Sequence, residues 1–223
     1  MKIILSGGGS KEKTEELDNL FASIIDKRKP LLYIPIAIDK IKHPYTECLK
    51  WLRETFDKQG VHLYEMWTES ELENIKDEPE KFGGIYVGGG NAFYLLKVLR
   101  ETSFWIFLKR CIDKDIPIYG GSAGAIIFGY SILTSNDSNN VKLEDFSGMD
   151  VLRNISISCH YKQEKDESIT QKIVLNNLKK VVALPETAGI YVENSQRPKV
   201  IGKDSAWLFS KNEKIRIEVG QKF

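Results

Sequence analysis

Cysteine and histidine are scarce in this 223-residue chain, at three residues each. Cys48, Cys111 and Cys159 are an odd number without metal-ligand spacing, and Cys48 and Cys111 lie on helix-like segments where packing suffices to explain them. Reduced thiols are expected, with neither a disulfide framework nor a metal. Neither sign of charge is in surplus: 32 Lys+Arg face 31 Asp+Glu, for a formal net charge of +1. A nucleic-acid or membrane-surface binder normally carries a basic excess or stripe, so neither partner is expected. No stretch approaches the roughly 18 uninterrupted apolar residues of a membrane span. The opening MKIILSGGGS has too short an apolar run for a signal-peptide core, and the expected location is the cytoplasm.

What is present is an ordinary globular composition, 42% hydrophobic and 28% charged, at a length that suits one domain over residues 1–223. The first half alternates two hydrophobic periods. KIILS (2–6), LLYIPIA (31–37), VHLYEMW (61–67), GGIYVGG (83–89) and IPIYG (116–120) read as strands. Between them Leu17, Leu20, Phe21, Ile24 and Ile25, then Cys48, Leu49, Leu52 and Phe56, recur at helical spacing. Leu95, Leu96 and Leu99, then Phe104, Ile106 and Phe107, mark two shorter helices. Continuous apolar strands separated by amphipathic helices imply a largely parallel sheet covered on both faces, a three-layer α/β/α arrangement. After about residue 150, ISIS (155–158), VVAL (181–184), GIYVE (189–193), KVIGK (199–203), AWLFS (206–210) and KIRIEV (214–219) follow closely, with one helix around 168–178. SKNEK (210–214) reads as a hairpin turn, so the C-terminal part is expected to add antiparallel strands to the sheet.

The chemistry gathers around IYGGSAGAIIFG (118–129), which passes from an apolar strand through a glycine turn into an apolar helix. Open α/β sheets place their sites at the carboxyl ends of strands, where Ser122 stands. Gly120, Ser122 and Gly124 spell GxSxG, the pattern of a nucleophile elbow, in which flanking glycines remove side chains that would clash with strand and helix. The amide of Ala123 points into the same space and suits an oxyanion. A glycine-rich turn with serine as helix cap is the plainer alternative. YVGGGNAF (86–93) also leads from strand to helix, offering the amide of Gly88 or Gly89 as a second oxyanion donor. Neither GGGN (88–91) nor GGGS (7–10) completes a dinucleotide or P-loop fingerprint.

A serine nucleophile needs a base. His43 precedes Pro44 in a polar loop and His62 starts an apolar strand, whereas His160 ends the run ISISC at another strand terminus. The base needs an acceptor that fixes its tautomer. Glu186, after VVALP, and Asp137, in LTSND, both qualify, and the sequence does not choose between them.

Together GGGN (88–91), GGSAGA (120–125), TSND (134–137), His160 and LPE (184–186) resemble, in order and approximate spacing over nearly the whole chain, the peptidase E family of aspartyl dipeptidases. That resemblance implies a fold like the class I glutamine amidotransferases and acyl transfer without a metal or organic cofactor. It makes Ser122 the nucleophile, His160 the base, Glu186 the third member and Asp137 an aspartate near the site. It also implies an oxyanion hole from Gly89 or Gly88 with Ala123, and a small peptide or amide as substrate. Asn91 and Ile169 fall at implied substrate-binding positions. Here the chain departs from the family: DESITQKI (166–173) carries Ile169 where the family's arginine would read the substrate's aspartate. Isoleucine cannot pair with a carboxylate, and Lys162 or Lys165 is a flexible point charge instead of a fork. Strict aspartate specificity is therefore expected to be altered or lost. An esterase or cyanophycinase-like hydrolase on the same scaffold, and a non-catalytic small-ligand module, are the alternatives.

Overall fold

The computed structural model describes residues 1–194 and 196–223. Strand β1 (Lys2–Ser6) is apolar from Ile3 to Leu5 and fully buried there, as a strand covered on both faces must be. Helix α1 (Lys11–Ile24) follows and turns Leu17 and Phe21 inward. The pattern repeats through β2 (Leu31–Ile34), α2 (Tyr45–Phe56), β3 (Tyr64–Met66), the short α3 (Glu69–Leu72) and β4 (Gly84–Val87). It continues with α4 (Ala92–Glu101), α5 (Phe104–Asp113), β5 (Ile118–Gly121) and the one-turn α6 (Ala123–Ile126). Expected bounds shrink where hydrogen bonding fails. LLYIPIA stops at Ile34 because Pro35 has no amide to donate to a ladder and instead opens a turn, its carbonyl accepting from Ile38. VHLYEMW contributes only three residues, since the Val61 amide bonds back to Phe56 at the end of α2. Ile106, placed on the helical stripe, points outward at 65% exposure.

The remaining elements are β6 (Ile155–Ser158), α7 (Asp166–Leu175), β7 (Lys180–Ala183), β8 (Ala188–Glu193), β9 (Lys199–Gly202), β10 (Ala206–Ser210) and β11 (Lys214–Ile217). Seven strands form the main sheet in the order β3-β2-β4-β5-β1-β8-β9. The first five are parallel, while β8 and β9 are antiparallel additions on the β1 side. The other C-terminal strands do not extend this sheet. They build a second one, β11-β10-β7-β6, in which β6 and β7 are parallel and β10–β11 is the hairpin read from SKNEK.

Two apolar layers sandwich the main sheet. One gathers Leu5, Ile34, Val87 and Leu96 with Phe104 and Phe107; the other packs Phe21, Phe56, Tyr86 and Tyr119 beneath α1 and α2. A third, smaller core under α7 holds Tyr161, Ile169, Ile173 and Phe209 against the second sheet. The parallel strands β4, β5 and β1 all end at one edge, so the loops after Val87, Gly121 and Ser6 converge there. That convergence requires glycine at Gly120 and Gly124: a Cβ at Gly124 would stand 2.2 Å from the Val87 carbonyl oxygen, and one at Gly120 2.4 Å from that of Gly124. Gly124→Ala is therefore expected to lose about 1–3 kcal/mol of stability, the usual cost of forcing atoms into a packed interior, read as a lower denaturant midpoint. An unchanged midpoint would mean that α6 can slide away from β4.

Candidate active site

Ser122 sits at the junction of β5 and α6 with φ 51° and ψ −112°, a left-handed backbone that a non-glycine residue adopts at a cost of about 1–3 kcal/mol. The surroundings hold it there. Its amide donates to the Ser6 carbonyl at 3.1 Å, and its own carbonyl accepts from the amides of Ala125 and Ile126 in the first turn of α6. His160, just past β6, also has positive φ, 53°, and its amide donates to the Gly7 carbonyl at 3.0 Å. The end of β1 thus grips both residues through adjacent carbonyls. Gly8, at φ 81°, lets the chain pass directly beside them: a Cβ there would lie 2.7 Å from His160 Cε1 and 2.9 Å from Ser122 Cβ.

The side chains form a line. Ser122 Oγ lies 2.7 Å from His160 Nε2, and His160 Nδ1 lies 3.0 Å from Glu186 Oε1. Glu186 Oε2 accepts from Lys13 Nζ at 2.5 Å. That lysine first, and His160 second, hold the Glu186 carboxyl below its ordinary pKa. An ionised Glu186 only accepts, so Nδ1 must carry the imidazole proton and Nε2 is left to accept from the serine hydroxyl. Lys13 is the participant the sequence reading missed; it stands on the first turn of α1, 173 positions from Glu186, and no local pattern links the two.

Asp137 is bonded elsewhere, at the start of α4. Its Oδ2 accepts from the Ala92 amide at 2.8 Å and from Ser135 Oγ at 2.6 Å, so it caps the start of α4, an orphan-donor position that carboxylates satisfy well. Asn91 serves the same turn: its Oδ1 accepts from the Tyr94 amide and its Nδ2 donates to the Ser138 carbonyl, both at 2.9 Å. Of the two glycines offered as oxyanion donors, Gly88 is spent, its amide bonded to the Ile34 carbonyl at 2.9 Å. Gly89 stands against the serine, where a Cβ would lie 3.2 Å from Ser122 Cβ. Among the described residues neither the Gly89 nor the Ala123 amide has an acceptor. Ile169 is 3% exposed in the α7 core with Tyr161 and Phe209, so its side chain is a packing element and not part of the wall near Ser122.

Two recesses meet at Ser122. The larger, about 460 Å³, extends beneath α1 and α2 and is lined by Tyr33, Trp51, Tyr86 and Tyr119. The smaller, about 250 Å³, is polar and includes Asp137, Thr134 and Lys165. Lys165 Nζ donates to the His160 carbonyl at 2.6 Å, and Lys162 lies in a separate shallow groove beside Glu186. Among the described residues, no three His, Cys, Asp or Glu side chains are grouped to hold a metal ion, and no helix is long and apolar enough to cross a membrane.

A parallel α/β sheet with serine, histidine and carboxylate aligned at its carboxyl edge is the architecture of a serine hydrolase. The chain belongs to Peptidase family S51, a family of serine-type peptidases, whose sequence model matches residues 3–200. Among curated proteins it is 27% identical to Peptidase E of Nostoc sp. (strain PCC 7120) over 87% of this chain and 80% of that one. It is 28% identical to Peptidase E of Pasteurella multocida, in a match spanning 60% of each chain. Among solved structures, a peptidase from an acI-B1 actinobacterium superposes with a TM-score of 0.74 at 19% identity, covering 100% of this chain and 96% of that one, a likeness of fold.

Beside the larger recess, Asp18 on α1 is 1% exposed; Thr14 Oγ1 donates to its Oδ2 at 2.8 Å, while among the described residues its Oδ1 and the nearby Tyr119 hydroxyl have no partner. Burial pushes its carboxyl pKa up to about 6. The folded state therefore holds a proton that the unfolded chain releases near 3.8, and the stability this provides is lost as pH rises from about 4 to 6. Asp18→Asn is expected to gain on the order of 2–3 kcal/mol over the wild-type protein at pH 7.5, with the gain vanishing toward pH 4. Denaturant unfolding at both pH values checks this; a pH-independent difference would contradict it.

Proposed function

We propose that Ser122 is the nucleophile of a serine peptidase or amide hydrolase acting on small peptides, with His160 as general base and Glu186 as the group that orients it. The observation that carries this reading is the unbroken line from Ser122 Oγ through both nitrogens of His160 to Glu186, at the mouth of a cavity. Ser122 Oγ attacks the substrate carbonyl while Nε2 takes its proton, and the amides of Gly89 and Ala123 receive the oxyanion. The imidazolium, stabilised by Glu186 and through it by Lys13, then protonates the leaving amine. Water, deprotonated by the same nitrogen, releases the acyl group from serine. The names of the curated relatives agree with this chemistry. The aspartate specificity that the family resemblance implies is not carried over in this reading, because the side chain at position 169 is apolar and buried in a core.

Ser122→Ala is expected to abolish hydrolysis of a mixed small-peptide pool without lowering the unfolding midpoint. Glu186→Gln is expected to lower kcat by up to about 10⁴-fold, the cost of the wrong imidazole tautomer in a serine-protease triad. Asp137→Asn should cost far less, since the amide can still accept from Ala92. A larger loss from Asp137→Asn than from Glu186→Gln would overturn the assignment of the third member.

A further inference from the structure

The larger recess differs from its neighbour across Ser122 in a way that bears on substrate choice. Tyr33, Tyr86 and Tyr119 come from β2, β4 and β5, adjacent strands whose alternate side chains point to one face, and Trp51 closes over them from α2. Tyr86 and Tyr119 stack at 4.6 Å between centroids, while Tyr33 and Trp51 meet Tyr86 edge-on at 5.6 and 6.1 Å. The interior is therefore a fixed aromatic surface joined to the nucleophile. Among the described residues neither lysine nor arginine lines it. The charged or titratable groups that do, other than His160 itself, are Glu47 and His43, both exposed at the rim, and the buried Cys48, Tyr33, Tyr86 and Tyr119. Across the serine, the smaller recess holds Lys165 and Asp137. An acidic side chain entering the larger recess would find no cation and would meet Glu47 on the way; any charge would lose its water without gaining a partner inside. An uncharged ring or branched aliphatic chain has no charge to desolvate and meets ring faces and edges, against the smaller cost of covering the unpartnered Tyr119 hydroxyl. The volume, about 460 Å³, lies in the range of about 300–1,000 Å³ typical of cavities that enclose small organic molecules.

Building on the peptidase reading, we propose that this recess is a specificity pocket for a large uncharged side chain, aromatic or branched aliphatic, on one of the two residues flanking the scissile amide. The polar recess across Ser122 takes the small or polar residue on the other side. The pocket, by this account, selects substrates through the tyrosine floor and Trp51 in place of an ion pair with a carboxylate.

The test is a matrix of dipeptides and tripeptides carrying Ala, Leu, Phe, Asp or Lys independently at each position flanking the bond, assayed with wild type, Trp51→Ala and Glu47→Lys. Binding of the same peptides to Ser122→Ala is followed by calorimetry. At one position, Phe and Leu are expected to exceed Ala by at least about 10-fold in kcat/KM, a modest value for several methylenes in an apolar pocket, and to exceed Asp by more. Trp51→Ala should reduce the preference for Phe over Ala several-fold, and Glu47→Lys should narrow only the discrimination against Asp. Ser122-dependent hydrolysis that is indifferent to both positions, or that prefers Lys or Asp at each, would overturn the pocket assignment and leave the peptidase reading standing. If no peptide is cleaved, calorimetry still decides: tighter binding of the Phe than the Ala peptides supports the pocket and removes only the catalytic reading, whereas equal or absent binding overturns the pocket as well.

Discussion

The site depends on a backbone seam. The carbonyls of Ser6 and Gly7, at the end of β1, accept the amides of Ser122 and His160, which arrive from β5 in the main sheet and β6 in the second sheet. The Gly7 amide in turn donates to the Ala188 carbonyl at the start of β8, and the Tyr161 amide to Leu184 at the end of β7. Five strand termini from two sheets are therefore tied within a few residues of the serine–histidine contact. Buried backbone groups must be paired, so the seam fixes those strand ends relative to each other before any side chain is considered. Cys159 reinforces it, buried with its Sγ 3.5 Å from the Ser122 carbonyl oxygen.

The seam also explains why two non-glycine residues tolerate left-handed backbone. That conformation costs energy at both Ser122 and His160, and each is held in it by the hydrogen bond its backbone amide donates to a carbonyl at the end of β1 and by packing against Gly8. Electrostatics then act on a frame already set. The Lys13–Glu186 pair is partly exposed, so its contribution to overall stability is small. Its effect is on the ionisation of Glu186, and through the hydrogen bond to Nδ1 on which nitrogen of His160 is free to accept from serine.

Much of this was legible in the sequence because strand ends in an α/β sheet are where sites form. KIILS, ISIS and AWLFS became strands with the expected bounds, and Ser122, His160 and Glu186 were each read at a strand terminus. The second sheet was not legible: an apolar run carries the same alternation whichever sheet it joins, and pairing partners are set by contacts distant in the chain. The hydrogen bonds that distinguish Glu186 from Asp137 are equally non-local: one carboxylate meets His160 Nδ1 and the other the Ala92 amide at the start of α4. Lys13 gave no signal for the same reason. Ile169 aligned with a substrate-reading position by its place in the chain, yet a buried helix face under α7 accounts for it by packing alone.

The central claim is that Ser122 is activated by the contact with His160. Intact-mass spectrometry after treatment with a fluorophosphonate tests it most directly, because such a reagent reports an activated serine whatever the natural substrate. The account predicts one stoichiometric adduct on the wild-type protein and none on Ser122→Ala. A well-folded wild-type protein that gains no adduct, or a Ser122→Ala protein that gains the same one, would contradict it.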